Sequence, residues 1–169
     1  MDYLVRRMVL EDLPQVVGIE KNSFPQPWSL NLFQHELTVN QIAHYRVVCR
    51  GDTVLGYVGI WLIVGEIHIT TIAVQQDHRR KGIGDLLILS VIDLAEEHGA
   101  QCITLEVRES NLAARAMYRK YGFAGVGLRC RYYSETGEDA VLMSAEDINS
   151  AAFQDALQRL KQASARRQR

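Results

Sequence analysis

A short loop between a predicted strand and a predicted helix constrains this chain more than any other stretch. Residues 67–74 are mostly β-branched and too few for a typical helix, which predicts a buried strand. From residue 83 onward apolar side chains recur at helical spacing, and Gly99 stands where a C-terminal cap is expected. Between strand and helix the chain reads Arg79, Arg80, Lys81, Gly82, Ile83 and Gly84.

The composition of this loop favours phosphate binding. The first turn of a helix leaves N–H groups without intrahelical partners, and the helix dipole adds partial positive charge there. A Cβ at Gly82 or Gly84 would hold an anion away from those groups, and three cations accompany the glycines. For these six residues alone, the alternative is an ordinary strand-to-helix turn with a solvated basic cluster.

Spacing excludes two well-known phosphate loops. A Walker A loop needs Gly-Lys-Ser/Thr where this chain has Gly84, Asp85 and Leu86, and the dinucleotide-binding fingerprint needs a third glycine where Leu87 stands. What remains is the pattern Arg-x-x-Gly-x-Gly between a strand and a helix.

Length and charge indicate a single enzyme-sized domain. The 169 residues are enough to bury roughly two-thirds of the unfolded surface, and the net charge of -1 argues against a general nucleic-acid binder. No apolar run approaches membrane-spanning length and the N-terminus lacks the order of a signal peptide, so we expect a cytoplasmic protein without a membrane role. Cys49, Cys102 and Cys130 lie in predicted strands without C-x-x-C spacing, and the histidines are scattered, so we expect reduced core thiols and no metal site.

The pattern of apolar residues predicts a mixed α/β fold. Strands over 44–50 and 53–63 form a hairpin, and the strand at 67–74 continues that antiparallel meander. A helix separates it from a strand at 101–107, so these fourth and fifth strands are expected to run parallel. Ligands bind beyond the carboxyl ends of such strands, where the loop at 79–84 lies.

A second informative segment places one carboxylate in an otherwise apolar strand. Glu106 alternates with Leu105 and Val107, and a buried charge is usually paired, protonated or functional. Arg108, one pleat further along the same face, is a candidate partner for a structural ion pair. Asn111 then has the chemistry of a helix N-cap, and Gly122 stands at the expected left-handed position after that helix.

The two segments together resemble a known family. The loop Arg-x-x-Gly-x-Gly is similar to the acetyl-CoA pyrophosphate loop of the GNAT N-acetyltransferases. The succession L-E-V-R-x-S-N-x-A-A-x-x-x-Y-x-x-x-G-F over residues 105–123 resembles the RimI group within it, the ribosomal-protein-alanine N-acetyltransferases. The resemblance extends from about Val5 to Ser144.

This resemblance implies a GNAT fold, in which helices cover both faces of a mostly antiparallel sheet. Its fourth and fifth strands would be parallel and would splay apart, with the pantetheine arm of acetyl-CoA between them. By position, it implies that Ile72, Ala73 and Val74 meet the arm through backbone groups. Residues 79–84 would hold the pyrophosphate, and Asn111 would touch the pantetheine region. Asp85, in the first turn of the phosphate-binding helix, departs from the family's usual neutral or basic residue and is expected to repel the pyrophosphate.

The resemblance also implies the catalytic pair. Glu106 would be the general base, and Tyr118 the acid that protonates the leaving thiolate. The alternative for Tyr118 is a core position on the inner face of its helix, since helical tyrosines are more often buried than catalytic.

Aromatic residues are the candidate acceptor-binding groups. Two prolines stiffen the segment from Asn22 to Trp28, which exposes Phe24 and Trp28 as a possible substrate wall. An equally good interpretation is that both rings fasten a helix to the sheet. Tyr132 and Tyr133 are adjacent on a late strand, so one of them at most is expected to touch a substrate.

Beyond Ser144 the resemblance ends. We assign residues 1–147 to the acetyltransferase domain and 148–169 to an amphipathic helix, predicted over 148–163, with a basic tail. A solvated, frayed tail is the default expectation for its arginines, and a contact with ribosomal RNA or an acidic partner is the alternative.

The sequence thus predicts an enzyme that transfers acetyl from acetyl-CoA to a protein N-terminal amine, with the alanine of a small-subunit ribosomal protein as the expected acceptor. An α-amine of pKa about 8 is roughly a tenth neutral at pH 7, whereas a lysine is neutral about once in a few thousand. The open alternatives are other protein N-termini, a small amine, or a CoA-binding module without turnover.

Overall fold

Seven strands form one mixed sheet in the computed structural model, which describes residues 2–167. Their order across the sheet is β1-β2-β3-β4-β5-β7-β6. Neighbouring strands are antiparallel except β4 and β5, which are parallel as the helical connection between them predicts. The strands are β1 Leu4–Arg7, β2 Ala43–Arg50, β3 Thr53–Ile63, β4 Glu66–Val74, β5 Cys102–Arg108, β6 Ala124–Tyr133 and β7 Glu138–Ala145.

Five α-helices cover the two faces of this sheet. They are α1 Leu13–Ser23, α2 Leu30–Thr38, α3 Ile83–Glu97, α4 Leu112–Lys120 and α5 Ala151–Arg167. The predicted caps are confirmed: the Asn111 side chain accepts a hydrogen bond from the N–H of Ala114 at 3.2 Å, and Gly122 has φ of 90°. None of the helices in residues 2–167 is both long and apolar enough to cross a membrane.

The two faces of the sheet contain separate apolar clusters. Side chains of α3 such as Leu87 pack against Ile67 and Leu105 of the central strands, and all three are almost fully buried. Each such aliphatic side chain contributes about 1.5–3 kcal/mol relative to exposure. On the opposite face α1 and α2 cover a second cluster centred on Phe33 and Tyr57.

The parallel strands separate halfway along their length. Pairing between β4 and β5 runs from Glu66 with Cys102 to Ile69 with Leu105 and then stops. A bulge against β3 leaves Thr70 as the extra residue of β4, directly after the last pair. Beyond it, β4 remains paired with β3, and β5 with β7. The expected splay is therefore present, and it opens a gap between β4 and β5.

Two expectations for the periphery of the fold were wrong. The C-terminal helix begins at Ala151 and continues through Arg167, whereas the predicted helix ends at residue 163 and is followed by a frayed tail. The apolar pattern stops at Leu160, but the alanines and arginines after it are good helix formers. Residues 168–169, part of that predicted tail, lie outside the described residues. Cys130, expected in the core, is exposed on edge strand β6.

Candidate active site

Glu106 is the first residue of β5 beyond its last pair with β4. Its neighbours Leu105 and Val107 are buried in the cluster beneath α3. Because side chains alternate along a strand, Glu106 faces the opposite side of the sheet. Its side chain retains 12% exposure, so it borders the gap without being sealed in the core.

An imidazole and a guanidinium hold the Glu106 carboxylate. His68 Nε2 lies 2.9 Å from Oε2, and Arg129 Nε lies 3.1 Å from Oε1. The hydrogen bond from His68 lowers the pKa of Glu106 below its usual value, burial opposes this effect, and the charges of His68 and Arg129 add to it. The carboxylate is therefore ionised at neutral pH and ready to accept a proton.

Arg108, the partner suggested by sequence spacing, does not contact Glu106. Its guanidinium pairs with Glu135 and with Glu138, the latter at 3.4 Å, in the β6–β7 hairpin. One carboxylate comes from the turn of that hairpin and the other from the first residue of β7, and Arg108 pairs with these two instead of with Glu106.

His68 belongs to a polar chain that crosses from β4 to β5. Its Nδ1 lies 2.8 Å from Thr104 Oγ1, and that hydroxyl donates to Glu66 Oε1 at 2.6 Å. A hydroxyl has one proton, so Thr104 accepts from His68 Nδ1–H. The other ring nitrogen can then donate to Glu106 when the imidazole carries both protons. This arrangement fixes the ring beside the carboxylate.

Tyr118 lies on the opposite face of the sheet from Glu106. It lies on α4, is 4% exposed and belongs to the cluster beneath α3, with its ring centroid 5.7 Å from that of Phe123. Burial, with a smaller contribution from Tyr133, raises the pKa of Tyr118 well above its usual value. No residue in the described range 2–167 hydrogen-bonds its hydroxyl. That O–H therefore remains protonated and free to donate to a ligand.

The loop after β4 has the backbone of an anion-binding turn. Arg80 and Gly82 have φ of 59° and 84°, and α3 starts immediately afterwards at Ile83. Arg79 Nε donates to the carbonyl of Val74 at 3.3 Å, which ties the loop to the end of β4. Left-handed residues before a helix N-terminus turn successive N–H groups toward one side, as phosphate sites require.

The two glycines of this loop are required for different reasons. Gly82 has open space where a Cβ would be, so its need for glycine is conformational. A Cβ on Gly84 would lie 2.9 Å from Met117 Sδ, so this glycine allows α3 and α4 to approach closely. From the sequence, both glycines were expected to give an anion access to the N–H groups. At Gly84 the close approach of Met117 is a further reason for glycine.

Comparison with known proteins decides which family this arrangement represents. The acetyltransferase (GNAT) family model matches residues 11–123, which include β4, the loop at residues 79–84, Glu106 and Tyr118. The chain belongs to the GNAT acetyltransferase family. This membership makes it an acyltransferase and confirms the family inferred from the two motifs.

The most informative relatives are bacterial GNAT enzymes. A Bacillus subtilis (strain 168) protein, provisionally named a ribosomal protein bS18-alanine N-acetyltransferase, is 41% identical over 139 residues, covering 82% of this chain and 92% of the relative. The Escherichia coli (strain K12) ribosomal protein bS18-alanine N-acetyltransferase is 33% identical over 137 residues, or 79% and 90% of the two chains. A crystal structure of the Escherichia coli ribosomal-protein-S18-alanine N-acetyltransferase has a TM-score of 0.79 at 28% identity, covering 86% and 94%.

In this GNAT domain, Asp85 is neutralised by its neighbours. Its Oδ1 lies 2.5 Å from Lys120 Nζ and accepts a hydrogen bond from Tyr121 OH at 2.6 Å. Lys120 is 35 positions from Asp85 in the chain, so the sequence does not indicate this contact. From the sequence alone, Asp85 was therefore expected to be an unpaired charge beside the phosphates. With Lys120 beside it, the expected repulsion of pyrophosphate is largely offset.

The segment between α1 and α2 is held beside β4 by a buried carboxylate. Glu20, 2% exposed, accepts from the N–H of Trp28 at 3.1 Å and from the hydroxyl of Tyr57. The Tyr57 hydroxyl also lies 3.4 Å from Thr71 Oγ1, one residue past the bulge. Phe24 and Trp28 are half-buried against the cluster under α1 and α2, so they do fasten these helices to the sheet.

The second aromatic pair lies at the end of β6. Tyr132 is 52% exposed, whereas Tyr133 is half-buried with the guanidinium carbon of Arg108 3.9 Å from its ring centroid. Burial raises the pKa of Tyr133 to about 12, and the charge of Glu106 contributes to that rise. Tyr133 is thus the less exposed member of the pair and the one whose ring packs against the Arg108 guanidinium.

Sequence reasoning missed three residues of this site. His68 could have been found, because the predicted parallel pairing of β4 with β5 can bring it beside Thr104, two residues before Glu106. The sequence gives no indication of Arg129, because this residue reaches Glu106 from β6 across the intervening strand β7. Glu20 was indistinguishable from a solvated helix residue in the sequence.

Proposed function

We propose that this chain transfers the acetyl group of acetyl-CoA to the N-terminal α-amine of a protein, with the N-terminal alanine of a small-subunit ribosomal protein as its acceptor. The observation that carries the proposal is the position of Glu106, ionised and held by His68 and Arg129 at the point where β4 and β5 separate. The names of the bacterial relatives support the choice of acceptor.

The cofactor is proposed to enter between the separated strands. The backbone of Ile72, Ala73 and Val74 pairs with β3 along one edge, and its other edge borders the gap left by β5. Peptide groups on that edge would hydrogen-bond the pantetheine arm, and the loop at residues 79–84 would hold the pyrophosphate. Asn111 caps α4 with its side-chain oxygen, and its amide nitrogen is left for the arm.

Glu106 and Tyr118 are proposed to manage the two protons of the reaction. The amine nitrogen attacks the thioester carbon, a C–N bond forms and the C–S bond breaks. Glu106 accepts the proton lost from nitrogen, and Tyr118 donates one to the sulfur, giving an amide and CoA thiol. The two groups lie on opposite faces of the sheet, so base and acid would act on opposite ends of a thioester bound between β4 and β5.

The lowered pKa of Glu106 suits an α-amine better than a lysine. A carboxylate whose pKa is lowered by His68 and Arg129 is a weak base, and a general base works best when its pKa lies near the operating pH. An α-amine of pKa about 8 is already roughly a tenth neutral at pH 7, whereas lysine has far less of the reactive form. The site therefore favours an acceptor that needs orientation more than deprotonation.

The acceptor is proposed to lie between the two aromatic groups. Phe24 and Trp28, in the segment tied to β3 and β4 through Glu20, would line one side of the acceptor. Tyr133 and the more exposed Tyr132, at the end of β6, would line the other. Rings in these places would pack on the first residues of a peptide and exclude bulkier amines.

Mass spectrometry tests this function directly. The acceptor is a peptide that begins with free alanine and contains internal lysines, and the control is the same peptide with its α-amine blocked. Acetylation at the α-amine of the first and none of the second is expected. Acetyl groups on lysine side chains would contradict the acceptor assignment, and absence of transfer with retained acetyl-CoA binding would indicate a binding module.

A further inference from the structure

Helix α5 runs antiparallel to α3 and ends beside the phosphate-binding loop. Near its start, Gln154 Nε2 donates to Glu96 Oε1 at 2.8 Å, and further along Lys161 Nζ donates to Asp93 Oδ1 at 3.0 Å. Leu157, between these two contacts, is buried. Later residues of α5 therefore meet earlier residues of α3, and the last turn of α5 reaches the first turn of α3.

These helix ends enclose a cavity of about 150 Å³ together with α4. Three cations from three elements line it: Lys81 from the loop, Lys120 from α4 and Arg167 from α5. Among the described residues of the lining, Asp85 is the one carboxylate. Three cations against one carboxylate leave a formal charge of +2 around the cavity.

Arg167 is available to a ligand, whereas Lys120 is already engaged. Lys120 Nζ lies 2.5 Å from Asp85 Oδ1. Arg167 has no hydrogen bond or ion pair with any of residues 2–167, although its charge is close enough to act on the Tyr121 hydroxyl. An unpaired guanidinium at the wall of a cationic cavity is suited to bind an anion.

We propose that this cavity binds the 3′-phosphate of coenzyme A and that Arg167 is the residue of α5 that contacts it. The inference rests on the proposed function, because acetyl-CoA is the ligand that brings this group. Pockets for whole ligands have volumes of about 300–1,000 Å³, so this cavity fits one substituent of the cofactor and not the nucleotide.

The chemistry of the cofactor matches this position. Coenzyme A carries a pyrophosphate and a separate phosphate monoester on its ribose. Gly82 belongs both to the loop assigned to the pyrophosphate and to the cavity lining, so the two anionic groups would occupy adjoining sites. A phosphate monoester has a charge of about −1.5 to −2 at pH 7, which complements the +2 of the lining.

This assignment gives the C-terminal helix a role. Helix α5 lies beyond the part of the chain matched by the GNAT family model, which ends at residue 123. Its contacts with α3 place Arg167 at the cofactor, so residues 148–167 complete the acetyl-CoA site and are not an independent appendage.

Calorimetric titration with two ligands tests the proposal. Acetyl-CoA and 3′-dephospho-acetyl-CoA are titrated into the wild-type chain and into the variants Arg167→Ala and Arg166→Ala. Arg166 is the matched control, because it is adjacent to Arg167 and exposed but does not line the cavity. Arg167→Ala should weaken acetyl-CoA binding about tenfold, as expected for one lost charge-assisted hydrogen bond, and leave the dephospho ligand unaffected. Arg166→Ala should change neither affinity appreciably.

A charge reversal keeps the test independent of helix stability. Arg167→Glu should weaken acetyl-CoA binding more than Arg167→Ala does, again without affecting the dephospho ligand, while circular dichroism verifies that both variants retain α5. Equal losses for both ligands, or none for either, would overturn the 3′-phosphate assignment and leave the proposed function standing. A wild-type chain that binds neither ligand would overturn both.

Discussion

His68 Nε2 lies 2.9 Å from Glu106 Oε2, joining β4 to β5 at the point where the two strands separate. The contact has a structural and a chemical consequence. It fixes the carboxylate at the edge of the gap, and it is the largest cause of the lowered pKa of Glu106. The site therefore holds its proposed base in the ionised form well below neutral pH.

Replacing His68 should move the acid limb of the pH profile upward. In His68→Leu the hydrogen bond and positive charge are lost, and burial then raises the pKa of Glu106 toward or above its usual value. The carboxylate becomes protonated at higher pH, so kcat/KM should fall earlier on acidification than in the wild-type chain. His68→Gln, which keeps a donor but not the charge, should give an intermediate shift. Superimposable profiles for all three would show that Glu106 does not set this limb.

The same pair predicts how stability depends on pH. A carboxyl group whose pKa is lower in the folded state contributes stability above its unfolded-state pKa, and this contribution is lost as pH falls through the folded-state pKa. Denaturant unfolding should therefore reveal that the stability difference between wild type and His68→Leu is larger at neutral pH than in acid. A difference that stays constant across this range would argue against the ion pair.

Tyr118→Phe should reduce turnover without disturbing the fold. The Tyr118 hydroxyl has no partner in the described part of the chain, so phenylalanine fits the same buried space. If the hydroxyl protonates the departing thiolate, kcat should fall on the order of 10²-fold with little change in acetyl-CoA affinity, and raising the pH should not restore it. Tyr121→Phe, three residues further along the chain, loses a hydrogen bond to Asp85 and should keep its kcat. Near wild-type kcat in Tyr118→Phe would make Tyr118 a core residue.

Gly82→Val tests the proposed phosphate-binding role of the loop at residues 79–84. Valine is strained at φ of 84°, and its side chain would project into the open space beside the loop. Acetyl-CoA affinity should fall by more than about tenfold, or roughly 1.4 kcal/mol. Gly65→Val is the matched control, since Gly65 has φ of 75° and similarly open surroundings in the β3–β4 turn. Both variants should lose about 1–3 kcal/mol of stability, and equal acetyl-CoA affinity in the two would remove the loop from the cofactor site.

Glu20→Ala should affect the acceptor more than the cofactor. The substitution leaves the N–H of Trp28 without its carboxylate partner and should release the segment beside β4. The KM for an alanine peptide is expected to rise several-fold while acetyl-CoA affinity is retained. Glu36→Ala is the control, because Glu36 is also buried and accepts from Trp61 Nε1 at 3.1 Å but does not hold this segment. An unchanged KM in Glu20→Ala would separate Phe24 and Trp28 from acceptor binding.

The sequence predicted those parts of the fold that depend on local chemistry. Asn111 and Gly122 mark the two ends of α4 through backbone preferences of single residues, and both predictions were confirmed. The parallel pairing of β4 and β5 followed from the helix between them. The family resemblance added the splay, which periodicity alone does not indicate.

The sequence did not predict contacts between segments that are distant along the chain. The partners of Glu106 come from β4 and from β6, and Asp85 is neutralised from α4. Spacing along one strand suggested Arg108 instead, because a sequence records neighbours on a strand but not strand order across a sheet. The same limit applies to α5, because the sequence predicted a helix in this region but not that its last turn lies beside the first turn of α3.

The most direct test of this account is the rate of α-amine acetylation by Glu106→Gln as a function of pH. Glutamine keeps the size of the side chain but cannot accept the proton, so turnover of an alanine peptide at neutral pH should fall on the order of 10²-fold, the lower end for a positioned base. The deficit should narrow as pH rises toward the amine pKa of about 8, since more acceptor is then neutral. A variant that acetylates the peptide at near wild-type rate at neutral pH would contradict the account and leave Glu106 as a structural partner of His68 and Arg129.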